Sequence, residues 1–179
     1  LPTTVLSTGA ITVAKFRISA DAGGTVAWRK LILTVASSTG ITTTTAGWGI
    51  YDDANQAAVL TGTSAENNMG ASTTVEFTST GDQEIPAGGY KDYVVKATIP
   101  ATVTLSSGNS FQTSIAVGQT AQVPSTTTSN NYDGIVGASP EATFVWSDES
   151  AASHGAATGD WFGDWLVKNL PTDTQTLTK

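Results

Sequence analysis

The stretch AITVAKFRISADAGGTVAWRKLILTVASS, residues 10–38, decides the fold. In its first part Ala14, Phe16 and Ile18 alternate with polar residues, which is the period of a half-buried β-strand. A Gly-Gly turn at positions 23–24 separates this part from a second apolar run of about ten residues. Neither part shows the 3.6-residue period of a helix, so the stretch predicts two β-strands.

Similar strand signals recur every 10–20 residues along the rest of the chain, separated by Gly, Pro, Asn and Ser clusters. They predict a hairpin over 48–60 and further strands within 73–80, 90–99, 103–107, 110–118, 142–148 and 161–170. We therefore expect an all-β fold: an antiparallel two-sheet sandwich of about eight to ten strands with Ig-like or jelly-roll topology. We expect residues 14–179 to form one β-sandwich domain, with 121–134 as a surface loop.

Composition narrows the class of protein. The chain has 31 threonines among 179 residues, no cysteine, and 13% charged residues, against a usual charged fraction of about 25%. The absence of cysteine excludes disulfides and thiolate metal sites, and we expect no cofactor. The net charge of −7 disfavours nucleic acid and anionic membranes as partners. No apolar run reaches the roughly 20 residues of a membrane helix, so we expect no membrane insertion.

Threonine-rich, weakly charged β proteins are typical of the outside of the cell. The sequence begins at Leu1 rather than Met, and removal of a secretory signal peptide is the simplest natural explanation. We therefore expect a secreted protein located extracellularly or at the cell surface.

Aromatic and acidic residues concentrate in FVWSDESAASHGAATGDWFGDWLVKNLP, residues 144–171. The favoured interpretation is a structural corner of the sandwich built on Phe144, Trp146, Trp161 and Trp165. A weaker alternative is a calcium cage of Asp148, Glu149, Asp160 and Asp164. Two of these acids can also form a glycosidase-type pair. His154 has no second histidine with which to build a zinc site, and we expect it to be solvent-exposed.

A second acidic group lies in the turn of the predicted hairpin. Asp52, Asp53 and Asn55 resemble the start of an EF-hand loop, but the glycine and the distal glutamate of that motif are missing. Asp and Asn are also ordinary turn residues, and this is the favoured interpretation.

The segments ATFVWSDESA and GDWFGDWLVKNLP resemble a signature of uncharacterised secreted surface proteins of small environmental bacteria. Such proteins are rich in threonine, lack cysteine, and carry Ig-like β modules with turns of the type IPAGG, here Ile85–Gly89. The resemblance covers residues 85–179 best. It implies a role at the cell surface and no known reaction.

The first 13 residues form a β-prone arm with Val5, Leu6, Ile11 and Val13 as its apolar positions. Such an arm can be an ordinary first strand, or it can insert into another copy as a donor strand. Head-to-tail insertion does not close and builds filaments, an architecture similar to that of donor-strand filament subunits. We therefore expect a non-enzymatic structural subunit of an extracellular filament, pilus-like fibre or surface layer, whose partners are copies of itself.

The alternative is a carbohydrate-binding or adhesin module that recognises surface glycans. A glycosidase-like enzyme ranks last.

Overall fold

The computed structural model describes residues 5–64, 73–119, 131–137 and 139–179. The chain is almost entirely β and forms two antiparallel sheets, which confirms the predicted sandwich. Ten strands and one short helix are described, and the strand count agrees with the expected eight to ten. They are β1 Gly9–Ser19, β2 Val26–Ser37, β3 Trp48–Asp52, β4 Ala58–Ser64, β5 Thr73–Ile85, β6 Tyr90–Ile99, β7 Ser110–Ser114, α1 Tyr132–Val136, β8 Phe144–Ser147, β9 Trp161–Phe162 and β10 Gln175–Thr178.

Eight of the ten strands follow one continuous hydrogen-bonded order, β1-β6-β3-β4-β5-β2-β7-β10, and β8 and β9 branch from β2. Aromatic contacts show how this order folds over to make two facing layers. Trp48 of β3 lies 6.2 Å from Phe111 of β7, and Tyr93 of β6 lies 5.3 Å from Trp28 of β2, measured between ring centroids. The sheet containing β1, β6 and β3 therefore packs against the sheet containing β2 and β7.

Strand β2 organises the second sheet because it is long enough to pair with three strands. One edge pairs with β5, while the other pairs first with β8, at residues 27–31, and then with β7, at residues 34–37. A bulge between Trp28 and Lys30 shifts the register. Trp28, Leu31 and Leu33 all belong to the main core, so the apolar residues keep facing inward after the bulge.

The segment around α1 and β8 covers the outer face of β2. Alternation along β8 puts Phe144 and Trp146 against the main core, whereas Val145 belongs to a second, smaller cluster. Trp161, Ile135 and Ala142 also belong to this second cluster, and all three are buried. We call the covering segment, residues 131–162, the outer lobe.

Several predicted elements are wrong in detail. Residues 103–107 form no strand, and the strand expected over 161–170 is only Trp161–Phe162. The C-terminal strand β10 and helix α1 carry too little periodicity to have been predicted. Within the loop expected over 121–134, residues 121–130 lie outside the described part, and Tyr132 already belongs to α1. The predicted arm of residues 1–13 overlaps β1, which begins at Gly9.

The hairpin predicted over 48–60 is confirmed as β3 and β4. Its turn is closed by side chains: Oδ1 of Asp52 accepts from the Ala54 N–H at 2.8 Å, and Oδ1 of Asn55 accepts from the Ala57 N–H at 2.8 Å. Asp53 forms an ion pair with Lys15. These contacts give the acidic residues of the turn structural roles.

No helix in the described ranges has the length and hydropathy that a membrane crossing requires.

Candidate functional site: a cleft beside the β1 edge

Among the described strands, β1 has a partner on one side only. Its ladder with β6 has ten residue pairs, and no other described strand forms a ladder with it. On the opposite side, the Lys15 N–H donates to Oε1 of Gln175 at 3.0 Å, and the Lys15 carbonyl accepts from Nε2 of Gln175 at 2.8 Å. Backbone groups of alternate residues in an antiparallel pair face the same side. The N–H and C=O groups of Arg17 and Ser19 therefore face the open side as well, beyond the reach of Gln175.

A cleft of about 540 Å³ runs along this open edge and reaches the interior of the sandwich. One wall is β1, the floor is formed by β2 and β8, and the far wall is the irregular segment after β9. The apolar side chains that line it include Phe16, Ile18, Trp28, Phe144, Trp146 and Val167. Trp28 is fully buried, whereas Phe16, Ile18 and Trp146 are partly exposed. The cleft thus exposes part of Phe16, Ile18 and Trp146, while Trp28 beneath them stays covered.

The floor of the cleft is packed closely around Trp28. Its ring is stacked on Phe144 at 5.8 Å between centroids and meets Tyr93 edge-on at 5.3 Å. Its indole N–H donates to the Tyr93 hydroxyl at 3.3 Å. Because these rings fix one another, the cleft has a preformed floor.

The cations around the cleft already have partners. Arg17 forms a bidentate ion pair with Asp92, with both N–O distances at 2.8 Å, and its hydrogen bonds lower the pKa of Asp92. Lys15 is paired with Asp53, and Lys168 lies 3.6 Å from Asp21. The cleft therefore offers no unpaired cation to an anionic ligand, and much of its lining is apolar.

An aromatic row extends from the cleft to the surface. Trp28, Trp146 and Phe162 are in register across β2, β8 and β9. The rings of Trp146 and Phe162 lie 5.0 Å apart, and those of Phe162 and Trp165 lie 6.2 Å apart. The indole N–H of Trp146 also donates to the Trp165 carbonyl at 3.3 Å.

The four aromatic residues predicted to form one corner lie in three places. Trp146 and Trp165 meet through Phe162, Phe144 belongs to the main core, and Trp161 is buried in the outer lobe. Phe162 was not singled out from the sequence, although its position one residue after Trp161 places it on the opposite face of a strand.

The four acidic residues of the calcium alternative do not form a cage. Asp164 is buried, and its carboxylate accepts from the backbone N–H groups of Phe144, Gly118 and Gln119 at 2.6–2.8 Å. Asp160 is buried and bonded within its own loop, and Asp148 accepts from the Ser150 N–H at 3.1 Å. Among the described residues no group of three or more potential ligands is arranged to hold a metal ion.

His154 is not solvent-exposed, contrary to the expectation. Only 13% of its side chain is accessible, and Nδ1 lies 2.8 Å from Oδ2 of Asp160. Its ring packs on Trp161 at 5.1 Å, and Nε2 lies 3.7 Å from Oδ1 of Asp82. Asp82 in turn binds Arg29, whose guanidinium lies 4.9 Å above the Trp161 ring. The histidine therefore helps to attach the outer lobe to the sheet.

Three of the four apolar positions of the predicted arm are buried in the chain's own sandwich. Ile11 and Val13 are buried within β1. Leu6 is fully buried, and its N–H donates to the Thr178 carbonyl at 2.8 Å, whereas the Val5 side chain is 58% exposed. Among the described residues of the arm, Val5 to Thr8 precede the β1 ladder, and Val13 lies at its register shift.

Comparison of the chain with protein-family models, curated proteins and solved structures finds no match.

Proposed function

We propose that the protein is a non-enzymatic structural subunit that assembles with copies of itself at the cell surface. In this proposal, an extended segment of one copy enters the cleft of the next and pairs with the free edge of β1. The observation that carries the proposal is the combination of an unpaired strand edge and an apolar cleft at the same place. Backbone groups at Arg17 and Ser19 are available for hydrogen bonds, while Phe16 and Ile18 beside them offer apolar contacts.

A β-strand matches both properties of this site. Its main chain forms hydrogen bonds along the open edge, and every second side chain points into the cleft. Each hydrogen bond contributes about 1 kcal/mol net, and each buried aliphatic side chain about 1.5–3 kcal/mol before ordering costs. A short inserted strand can therefore hold two subunits together without a covalent bond. The chain has no cysteine with which to form a disulfide between subunits.

The edge carries features that limit indiscriminate pairing. Lys15, Arg17 and Ser19 alternate on the solvent side of β1, and both cations are held in ion pairs. Charged residues on edge strands discourage general aggregation. The apolar residues are withdrawn into the cleft, where a strand reaches them only in the correct orientation. This arrangement favours one specific partner, as a polymer of identical subunits requires.

Replacing Ser19 by proline tests the proposal. The Ser19 N–H faces the open side, so Ser19→Pro removes a donor needed by an incoming strand and leaves the pairing with β6 intact. We expect Ser19→Pro to fold but to remain monomeric when the wild-type protein at the same concentration forms polymers. Electron microscopy and analytical ultracentrifugation measure the assembly, and circular dichroism confirms folding.

The matched control is Ser19→Ala, which keeps the N–H and should assemble normally. Polymerisation of Ser19→Pro to the wild-type extent would exclude the β1 edge as the contact. A wild-type protein that stays monomeric at high concentration would exclude self-assembly altogether.

The aromatic row favours a second candidate function, glycan binding. Trp146, Phe162 and Trp165 are all partly exposed, and sugar rings stack on such surfaces. If this candidate is correct, Trp165→Ala should abolish glycan-induced changes in tryptophan fluorescence, while Trp165→Phe should retain part of them. Assembly should be unaffected by either variant.

A further inference from the structure

We propose that Gln175 fixes the register of the incoming strand, because its side chain takes the place of that strand beside Lys15. This inference rests on the proposed self-assembly and concerns the same cleft. It makes Gln175 a positioning residue, which stops the strand of the neighbouring copy at Arg17 and prevents it from sliding further along β1.

The carboxamide of Gln175 takes the place of a peptide group. Its Oε1 accepts from the Lys15 N–H at 3.0 Å, and its Nε2 donates to the Lys15 carbonyl at 2.8 Å. In an antiparallel ladder, the two residues of a hydrogen-bonded pair exchange the same two bonds. Lys15 therefore already has, on its open side, the partners that an added strand would supply.

Thr113 covers the same edge closer to the start of β1. Its hydroxyl donates to the Val13 carbonyl at 2.8 Å, and the residue is directly paired with Gln175 across β7 and β10. Two neighbouring side chains thus cover the open side of β1 as far as Lys15. Within the described ranges, no hydrogen bond reaches the open-side backbone groups of Arg17 or Ser19, which stay available to another copy.

The other end of this open stretch is also bounded. β1 ends at Ser19, and just beyond it Asp21 lies 3.6 Å from Lys168 on the far wall of the cleft. The available edge therefore runs from Arg17 to Ser19 and offers one pairing position at each of these two residues.

The apolar pattern of an incoming strand does not by itself fix its register here. Side chains of a strand alternate with a period of two, so a slip by one residue turns the apolar ones away from the cleft, whereas a slip by two keeps them facing it. If Lys15 were free, the edge would offer two equivalent registers, one at Lys15 and Arg17 and one at Arg17 and Ser19. Gln175 excludes the first of these registers.

Removing Gln175 from the Ser19→Pro variant tests this inference. Ser19→Pro should stop assembly, because it removes a donor from the one register that is available. Gln175→Ala frees Lys15, so the strand can shift by two residues and pair with Lys15 and Arg17 instead. We therefore expect Ser19→Pro/Gln175→Ala to polymerise again and to recover about half or more of the wild-type polymer in a sedimentation assay. A purely structural role of Gln175 would not restore assembly.

The matched control is Ser19→Pro/Gln112→Ala. It removes an exposed glutamine of the neighbouring strand β7 and leaves Gln175 in place, so it should remain monomeric. Circular dichroism confirms that both double variants are folded.

Hydrogen exchange followed by NMR gives a second measurement, which begins with the unaltered protein. In the wild-type monomer the Lys15 amide should exchange slowly and the Arg17 and Ser19 amides quickly. Assembly should protect Arg17 and Ser19 and leave Lys15 unchanged. In monomeric Gln175→Ala the Lys15 amide should exchange about tenfold faster than in wild type, because it has lost its acceptor.

The results separate this inference from the proposed function. If Ser19→Pro is monomeric and the added Gln175→Ala does not restore assembly, Gln175 does not set the register, although self-assembly still stands. If the Lys15 and Ser19 amides exchange equally fast in the wild-type monomer, Gln175 does not cover the edge and the inference is wrong. If wild-type protein does not polymerise, the proposed function itself is wrong.

Discussion

Oδ1 of Asp164 accepts a hydrogen bond of 2.6 Å from the backbone N–H of Phe144, which joins the segment after β9 to the start of β8. The other carboxylate oxygen accepts from Gly118 and Gln119 at 2.6 and 2.8 Å and so attaches the segment after β7. One buried side chain thus connects three parts of the chain.

We expect Asp164→Asn to destabilise the protein by about 2–4 kcal/mol, because one acceptor becomes an NH₂ donor facing buried N–H groups. Chemical denaturation monitored by tryptophan fluorescence measures the loss. Asp173→Asn, at an exposed position, is the control and should change the free energy of unfolding by less than about 0.5 kcal/mol. Equal stability of the two variants would show that Asp164 is dispensable.

His154 offers a second test of the outer lobe. Replacement by alanine removes the contact with Asp160 and the ring packed on Trp161. We expect His154→Ala to lower the free energy of unfolding by about 1–2 kcal/mol. Thermal unfolding measures the change, and Ser150→Ala, at an exposed site in the same loop, is the matched control. An unchanged melting temperature in His154→Ala would contradict the structural role.

Removing Lys30 and removing its two glutamate partners should affect stability differently. Its side chain is fully buried, and Nζ lies 2.6 Å from Glu141 and 3.1 Å from Glu76, both about half exposed. Burial opposes its charge, but the hydrogen bonds to the two glutamates outweigh burial and raise the pKa of Lys30. Removing the lysine leaves two carboxylates that water can reach, whereas removing the carboxylates leaves a buried charge.

We therefore expect Lys30→Met to change stability by less than about 1 kcal/mol, and Glu76→Gln/Glu141→Gln to cost about 1–3 kcal/mol. Urea denaturation at neutral pH compares the variants. A larger loss in Lys30→Met than in the double variant would reverse this explanation.

The fold could be predicted because the strands repeat a simple local pattern. Alternation in β1 and the apolar run of β2 depend on a two-residue period, and turn residues separate the elements. Elements without such a pattern were missed. β10 lies in the run TQTLT, residues 174–178, in which every second residue is a threonine. Its position depends on pairing with β7 rather than on its own residues.

The candidate site could be predicted only in part. The apolar character of Leu6, Ile11 and Val13 is visible in the sequence, but whether they fill their own core depends on the partners of β1. The cleft requires knowing which edge stays open, and strand order is not encoded locally. The role of His154 was misjudged for the same reason, since Asp82 lies 72 positions away along the chain.

Glu149 predicts how the outer lobe responds to pH. Partial burial raises its pKa, and the nearby carboxylates of Glu84, Asp82 and Asp160 raise it further, while His154 opposes the shift. When folding raises the pKa of an acid, the folded protein loses stability as the pH rises through that pKa, because the charged form is disfavoured in the folded state.

The uncharged variant Glu149→Gln should therefore be more stable than wild type at pH 7. Since the residue is partly exposed, solvent screening limits the gain to about 0.5 kcal/mol. At pH 3.5, where Glu149 is itself protonated, the two proteins should unfold at the same urea concentration. Ser150→Ala, at an exposed position in the same loop, removes no charge and should show no comparable difference between the two pH values. A gain in Glu149→Gln that persisted at pH 3.5 would mean that the amide improves packing and that charge repulsion plays no part.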